Sequence, residues 1–126
     1  MKIEEFKQII FDISQRLYLK VGDIEKAEIT PNFHVAEIIG NEKTIYVLCN
    51  ENREWAFTNT FEKSVCKLNF VDCKKFSDLL KEIYQEKVYK AEELNGPFKE
   101  KSYLLETDVS YWKPVTLGEG VFNWWD

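Results

Sequence analysis

A chain of 126 residues that is 44% hydrophobic and 15% aromatic fits one domain, residues 1–126, and can bury a core without disulfides or a metal. Its 17 basic and 22 acidic residues leave a net charge of −5 with no basic run. That balance disfavours nucleic acid and anionic membranes as partners, and it suits a basic protein partner.

Residues 2–20 have the apolar periodicity of a helix. Side chains three and four positions apart form one apolar stripe: Ile3, Phe6, Ile10, Ile13 and Leu17. Further apolar residues widen this stripe beyond the seam of a two-stranded coiled coil, which favours a helix that faces the core of its own domain. Gly22 lies just beyond and is a suitable stop signal.

Short β-branched and aromatic runs between residues 27 and 70 predict a sheet. Four candidate strands cover residues 33–39, 43–49, 54–59 and 64–70, and a shorter strand is predicted near residues 26–30, before Pro31. The gaps between them have the length of turns, which favours an antiparallel meander of four to five strands. In the last run Cys66 alternates with Leu68 and Phe70, as expected of a small buried side chain.

A second helix is predicted over residues 73–86, with Asp72 as its N-cap and residues 88–89 as an extension. The break at residues 95–97 begins an irregular C-terminal arm (residues 97–126), in which residues 99–105 and 108–112 are interpreted as short strands or extended loops. Thr116 and Glu119 match a capping box, which predicts a short terminal helix over residues 117–125. This order predicts an α+β domain with helices over one face of an antiparallel sheet.

No catalytic, cofactor-binding or metal-binding motif is visible in the sequence. The only histidine, His34, lies in a predicted strand and is interpreted as structural. Three scattered cysteines without a CxxC motif predict neither a zinc site nor a disulfide framework. The acidic start lacks the features of a signal peptide, and no apolar stretch approaches the length of a membrane span, so we expect a cytoplasmic protein.

The last sixteen residues are unusually aromatic. They contain three of the chain's four tryptophans. The aromatic residues here are Tyr111, Trp112, Phe122, Trp124 and Trp125. One interpretation is that these rings lock the arm onto the core. A second is a partly exposed patch that binds a partner, because tryptophan and tyrosine are enriched at interface hot spots. A third is a ligand groove that the rings form together with Trp55 and Phe57.

Residues 112–126 carry the spacing W-x-P-x-T-x-G-E-x-x-F-N-x-W-D. This segment resembles the C-terminal ending of small uncharacterised bacterial cytoplasmic proteins, some of which are similar to immunity proteins that neutralise polymorphic toxins. The resemblance covers about fifteen residues. It implies a non-catalytic α+β domain that binds a cognate protein, and it assigns no binding residues.

The sequence thus favours a non-enzymatic, protein-binding domain, such as an immunity-type inhibitor of a toxin. The candidate contact residues combine acids near a hairpin tip with tail aromatics: Glu51, Glu54, Trp112 and Trp124. The alternative is a domain that binds or senses a small ligand on the concave face of the sheet. An exposed edge strand or the aromatic tail also offers a surface for a homodimer.

Overall fold

Five strands follow one another as an antiparallel meander in the computed structural model, which describes residues 1–126. The strands are β1 (Lys20–Glu25), β2 (Phe33–Ile39), β3 (Thr44–Asn50), β4 (Glu54–Thr58), β5 (Phe70–Val71) and β6 (Lys87–Val88). The sixth strand pairs parallel with β4. The helices are α1 (Ile3–Arg16), α2 (Lys74–Tyr84), α3 (Ala91–Asn95), α4 (Glu106–Trp112) and α5 (Leu117–Val121). None of them has the length and apolar character needed to cross a membrane.

One face of the sheet, the helical face, packs against α1 and α2. Alternation along the strands directs every second side chain to this face. Phe6 of α1 stacks on Trp55 of β4 with their ring centroids 5.5 Å apart. The buried core here consists of Phe6, Ile9, Ile10, Ile13, Ala36, Ile38, Ile45, Val47, Cys49, Trp55, Phe57, Phe76 and Leu80. The predicted α+β class, with a first helix, a meander and a second helix on one face, is confirmed.

The other face, the arm face, is covered by α3, α5 and the aromatic residues around them. Its buried core consists of Phe33, Val35, Leu48, Ala56, Phe70, Tyr89, Leu94, Leu117, Val121 and Phe122. The sheet is therefore buried on both faces over much of its area. The sequence analysis expected helices over one face only.

Asparagine side chains attach the arm to the strands. Asn32 and Asn50 both donate side-chain hydrogen bonds to the carbonyl of Val121, at 3.3 and 2.9 Å. The backbone N–H of Asn123 donates to Asn32 Oδ1 at 2.9 Å. The capping box of α5 is confirmed, because the Thr116 side chain accepts a bond from the N–H of Glu119, whose carboxylate accepts from the N–H of Thr116.

The chain between the first helix and β2 differs from the prediction. Helix α1 ends at Arg16, Tyr18 takes a left-handed conformation with φ 57°, and a strand starts at Lys20. The strand predicted near residues 26–30 is wrong, since β1 comes earlier. Gly22 lies inside β1, at a β-bulge, and does not stop the helix. A Cβ at Gly22 would lie 2.1 Å from Glu37 Oε1, so a larger residue there would require the Glu37 side chain to move.

Five further expectations for the second half are wrong. Of residues 64–70, only Phe70 belongs to a strand, and Cys66 is exposed. The N-cap of α2 is Cys73, while Asp72 accepts a 2.8 Å bond from the N–H of Ala91. Residues 88–89 do not extend α2, because Val88 belongs to β6. Residues 108–112 are helical in α4, and the terminal helix ends at Val121.

Candidate functional site

Three aromatic rings lie together at the surface of the C-terminal arm. Tyr111 and Trp112 are 76% and 37% exposed. Their rings meet edge to face with centroids 5.0 Å apart. The rings of Trp112 and Trp125 are stacked nearly parallel, with an interplanar angle of 2° and centroids 6.3 Å apart. We call Tyr111, Trp112 and Trp125 the aromatic patch. Such rings keep one another in place while retaining area for contact with another molecule.

Helix α4 presents this patch because it buries none of its own residues. Tyr111 and Trp112 occupy its last turn, and Lys113 then ends the helix in a left-handed conformation with φ 48°. Asp108 precedes Trp112 by four residues and Tyr111 by three, so all three side chains lie on neighbouring parts of the helix surface. An acid thus accompanies the aromatic rings.

Of the other two aromatic residues of the tail, Phe122 is buried in the core and Trp124 is half-buried against it. Phe122 is buried against Phe33 and Phe70, with ring centroids 5.9 and 5.8 Å away. Trp124 packs edge-on against Phe33 at 5.3 Å and donates its indole N–H to the carbonyl of Lys63 at 2.9 Å. The aromatic tail is therefore divided between core packing and a surface patch.

An acidic groove of about 400 Å³ lies on the arm face beside β1 and β2. Its lining includes Asp23, Glu25, Glu37, Glu62 and, as the only base, Lys63. The Lys63 carbonyl is the acceptor of the Trp124 indole, and Trp125 of the aromatic patch is the next residue. Trp124 thus contacts a residue that lines the groove and directly precedes a residue of the patch.

The structure separates the two acids that the sequence analysis placed near a hairpin tip. Glu51 is exposed in the turn between β3 and β4. Glu54 is buried, and its carboxylate accepts hydrogen bonds from Asn50 at 3.1 Å, from the Lys87 ammonium at 2.9 Å and from the Tyr89 hydroxyl at 2.6 Å. A fourth bond comes from the hydroxyl of Tyr103 in the arm.

These four donors determine the charge state of Glu54. Burial raises the pKa of this carboxyl, but the hydrogen bonds from Tyr103, Tyr89 and the other donors outweigh burial and lower it below 4.5. Burial and the same carboxylate raise the pKa of Tyr89 to about 12. Both Glu54 oxygens already accept two bonds each, so this ionised carboxylate holds the arm to β4 and β6.

A second buried carboxylate connects three elements. Glu86, after α2, accepts the indole N–H of Trp55 at 2.8 Å and the Arg53 Nε–H at 2.9 Å. The terminal nitrogens of Arg53 donate to both oxygens of Glu5 in α1, at 3.1 and 3.0 Å. Sequence reasoning missed this network, and its only local signal is the charged pair Arg53 and Glu54 directly before Trp55.

The register of the sheet places His34 of β2 directly opposite Cys49 of β3. His34 Nδ1 accepts the backbone N–H of Ala27 at 2.8 Å, so its Nε2 donates to the carbonyl of Met1 at 2.8 Å. Both ring nitrogens are occupied by backbone groups. Burial raises the pKa of the Cys49 thiol, which stays protonated. The pair therefore lacks the free base and the thiolate that a nucleophilic dyad requires.

We expect His34 to make folding sensitive to mild acid. Burial lowers the pKa of His34 below 6.5, and its Nδ1 cannot hold a proton while it accepts the Ala27 N–H. The unfolded chain takes up this proton first, so the contribution is complete above about pH 6.5 and is lost as pH falls below it. Urea unfolding should show that the free energy of unfolding of the wild type declines from pH 7.5 to pH 5. The decline should be shallower in His34→Gln. Equal slopes would contradict this assignment.

The structure brings together no group of three or more His, Cys, Asp and Glu side chains that could hold a metal ion. The space between the sheet and the helices, where a ligand of the concave face would lie, is filled by the core of the helical face. No protein-family model, curated protein or solved structure matches this chain. The interpretation of the surface therefore depends on its geometry and charge.

Proposed function

We propose that this chain is a non-enzymatic domain that binds a basic protein through its arm face. The observation that carries the proposal is the aromatic patch of Tyr111, Trp112 and Trp125, which is built on a helix without buried residues. Tryptophan and tyrosine supply large, rigid contact area at protein interfaces. Their partial exposure here supports contact with another molecule.

Charge supports a basic partner. Trp124 bonds to Lys63 of the acidic groove and directly precedes Trp125 of the aromatic patch, and the whole chain has a net charge of −5. Carboxylates around a groove attract lysine and arginine side chains, which also bind favourably to aromatic faces. The resemblance of residues 112–126 to immunity proteins favours a toxin as that partner, and inhibition would then follow from covering the toxin's basic surface.

The test is a pull-down from the native cell, followed by affinity measurement on the stoichiometric partner that is recovered. We expect Trp112→Ala to weaken binding at least about tenfold, because truncation of an aromatic hot spot costs roughly 2 kcal/mol or more. Glu62→Lys in the acidic groove should also weaken binding, and by a larger factor at low salt than at high salt.

Phe11→Ala is the matched control, because Phe11 is an aromatic residue of similar exposure on α1. It should bind the partner as the wild type does. Recovery of no stoichiometric partner, together with a neighbouring gene unrelated to toxins, would contradict the proposal. Equal affinity of the wild type and Trp112→Ala would also contradict it.

A further inference from the structure

Strand β1 is an open edge of the sheet. It pairs only with β2, and its other side carries no strand. Lys20, Asp23 and Glu25 are exposed along it. An open edge presents unpaired backbone groups to which another extended chain can bind, and natural proteins usually interrupt such edges with charges or bulges. Both devices are present here, so any strand that pairs with β1 must match them.

We propose that two copies of this chain pair antiparallel through β1 about a twofold axis between Gly22 and Asp23. This register places Lys20 opposite Glu25 of the second copy, and the symmetric pair repeats the contact. It also places Val21 opposite Ile24 of the second copy. The edge is thus complementary to itself in charge and in apolar character, as a twofold interface requires.

The β-bulge makes this register sterically consistent. Residues that face each other in an antiparallel pair must point to the same face of the sheet. In a regular strand, residues 21 and 24 point to opposite faces. Here Val21 pairs with Ile38 and Ile24 pairs with Ala36, so the bulge turns both toward the helical face.

The same holds for the charged ends of the strand. Lys20 pairs with Ile39 and Glu25 with Val35, so both lie on the arm face. A regular strand paired with β1 would fall out of register at Gly22 and Asp23, where the bulge inserts one extra residue. A second copy carries the same irregularity at the same place, which favours it over an arbitrary extended peptide.

The ends of β1 add a second apolar contact. Tyr18, before the strand, is 97% exposed, and Ile29, after it, is 77% exposed. Antiparallel pairing brings the start of one β1 beside the end of the other, so Tyr18 of each copy faces the segment that carries Ile29 of the second copy. These contacts are small, and we expect a dissociation constant on the order of 10–100 μM.

Sedimentation equilibrium over a concentration series tests this proposal independently of the proposed function. The wild type should change from 15.0 kDa at low concentration to twice that mass at high concentration. Lys20→Glu and Glu25→Lys each create two like-charge pairs and should weaken association about tenfold. The double variant Lys20→Glu/Glu25→Lys reverses both pairs and should restore association to within about threefold of the wild type.

Circular dichroism verifies the fold of each variant. Lys75→Glu changes the net charge as Lys20→Glu does but lies on α2, so it should dimerise normally, as should Trp112→Ala. A monomer at every concentration up to about 1 mM would overturn the proposal. So would failure of the double variant to recover, or loss of the dimer in Trp112→Ala.

Discussion

Glu54→Leu is expected to lower the free energy of unfolding by about 3 to 4 kcal/mol, one of the largest effects of any single change in this protein. Leucine fills a similar volume but leaves the hydroxyls of the buried Tyr89 and the half-buried Tyr103 without their acceptor. A buried donor without a partner costs about 1 to 3 kcal/mol, and Lys87 loses its ion pair as well. Urea denaturation followed by circular dichroism measures the loss.

Glu51→Leu is the matched control, because Glu51 is exposed three residues earlier in the chain. It should leave the unfolding midpoint close to that of the wild type. The loss of stability in Glu54→Gln should lie between those of Glu54→Leu and Glu51→Leu. The amide keeps one acceptor oxygen, but its NH2 group then faces two of the four donors that Glu54 accepts from. A loss in Glu54→Leu no larger than in Glu51→Leu would show that the buried carboxylate does not stabilise the fold.

The pH dependence of the free energy of unfolding should separate the contribution of the Glu54 charge from that of its side-chain packing. Its folded pKa is lower than the ordinary value of 4.5. The unfolded chain therefore binds the proton first, and the stabilisation is complete above about pH 4.5 and lost as pH falls through the folded pKa. Stability measured from pH 6 to 3 should thus fall less steeply in Glu54→Gln than in the wild type.

Arg53→Ala is expected to destabilise the protein by about 2 to 3 kcal/mol, although much of the Arg53 side chain is exposed. The effect comes from Glu86, whose side chain is only 4% exposed and would retain the Trp55 indole as its one donor. Removing one partner of a buried ion pair leaves an uncompensated charge in the interior. The same urea titration reports this change, provided that the dependence on denaturant stays constant.

The double variant Arg53→Ala/Glu86→Gln should recover part of that loss, because a neutral amide needs no counter-charge and still accepts the Trp55 N–H. Arg16→Ala breaks an exposed pair with Asp12 in the same helix and should cause no measurable change. If Arg53→Ala and Arg16→Ala behaved alike, the connection between α1, β4 and α2 would contribute little.

Local patterns were sufficient to predict the centre of the fold. Strand β2 has the predicted bounds, β3 is shifted by one residue at both ends, and β4 ends one residue earlier than predicted. These strands are short runs rich in β-branched and aromatic residues and are separated by short turns, so residue type and turn length agree. The first helix was extended four residues too far because Tyr18 and Leu19 continue its apolar pattern, while the left-handed backbone at Tyr18 is not visible in that pattern.

The site depends on contacts between distant residues, which explains what the sequence did not show. Glu54 looks like a surface acid near a turn, but Tyr89 and Tyr103 reach it from 35 and 49 residues further along the chain. Helix α4 has no buried stripe, so no apolar periodicity in the sequence predicts it. The division of the tail into Phe122 inside and Trp112 outside follows from packing on Phe33, which composition does not reveal.

The asparagine contacts between the strands and the arm have a consequence for synthesis on the ribosome. Asn32 and Asn50 bind groups 71 to 91 residues further along the chain. The meander therefore leaves the exit tunnel well before the arm that covers it. During that interval Phe33 and Leu48 of the arm face are exposed to solvent or to a chaperone. The growing chain must keep this apolar face from aggregating until Phe122 emerges and closes it.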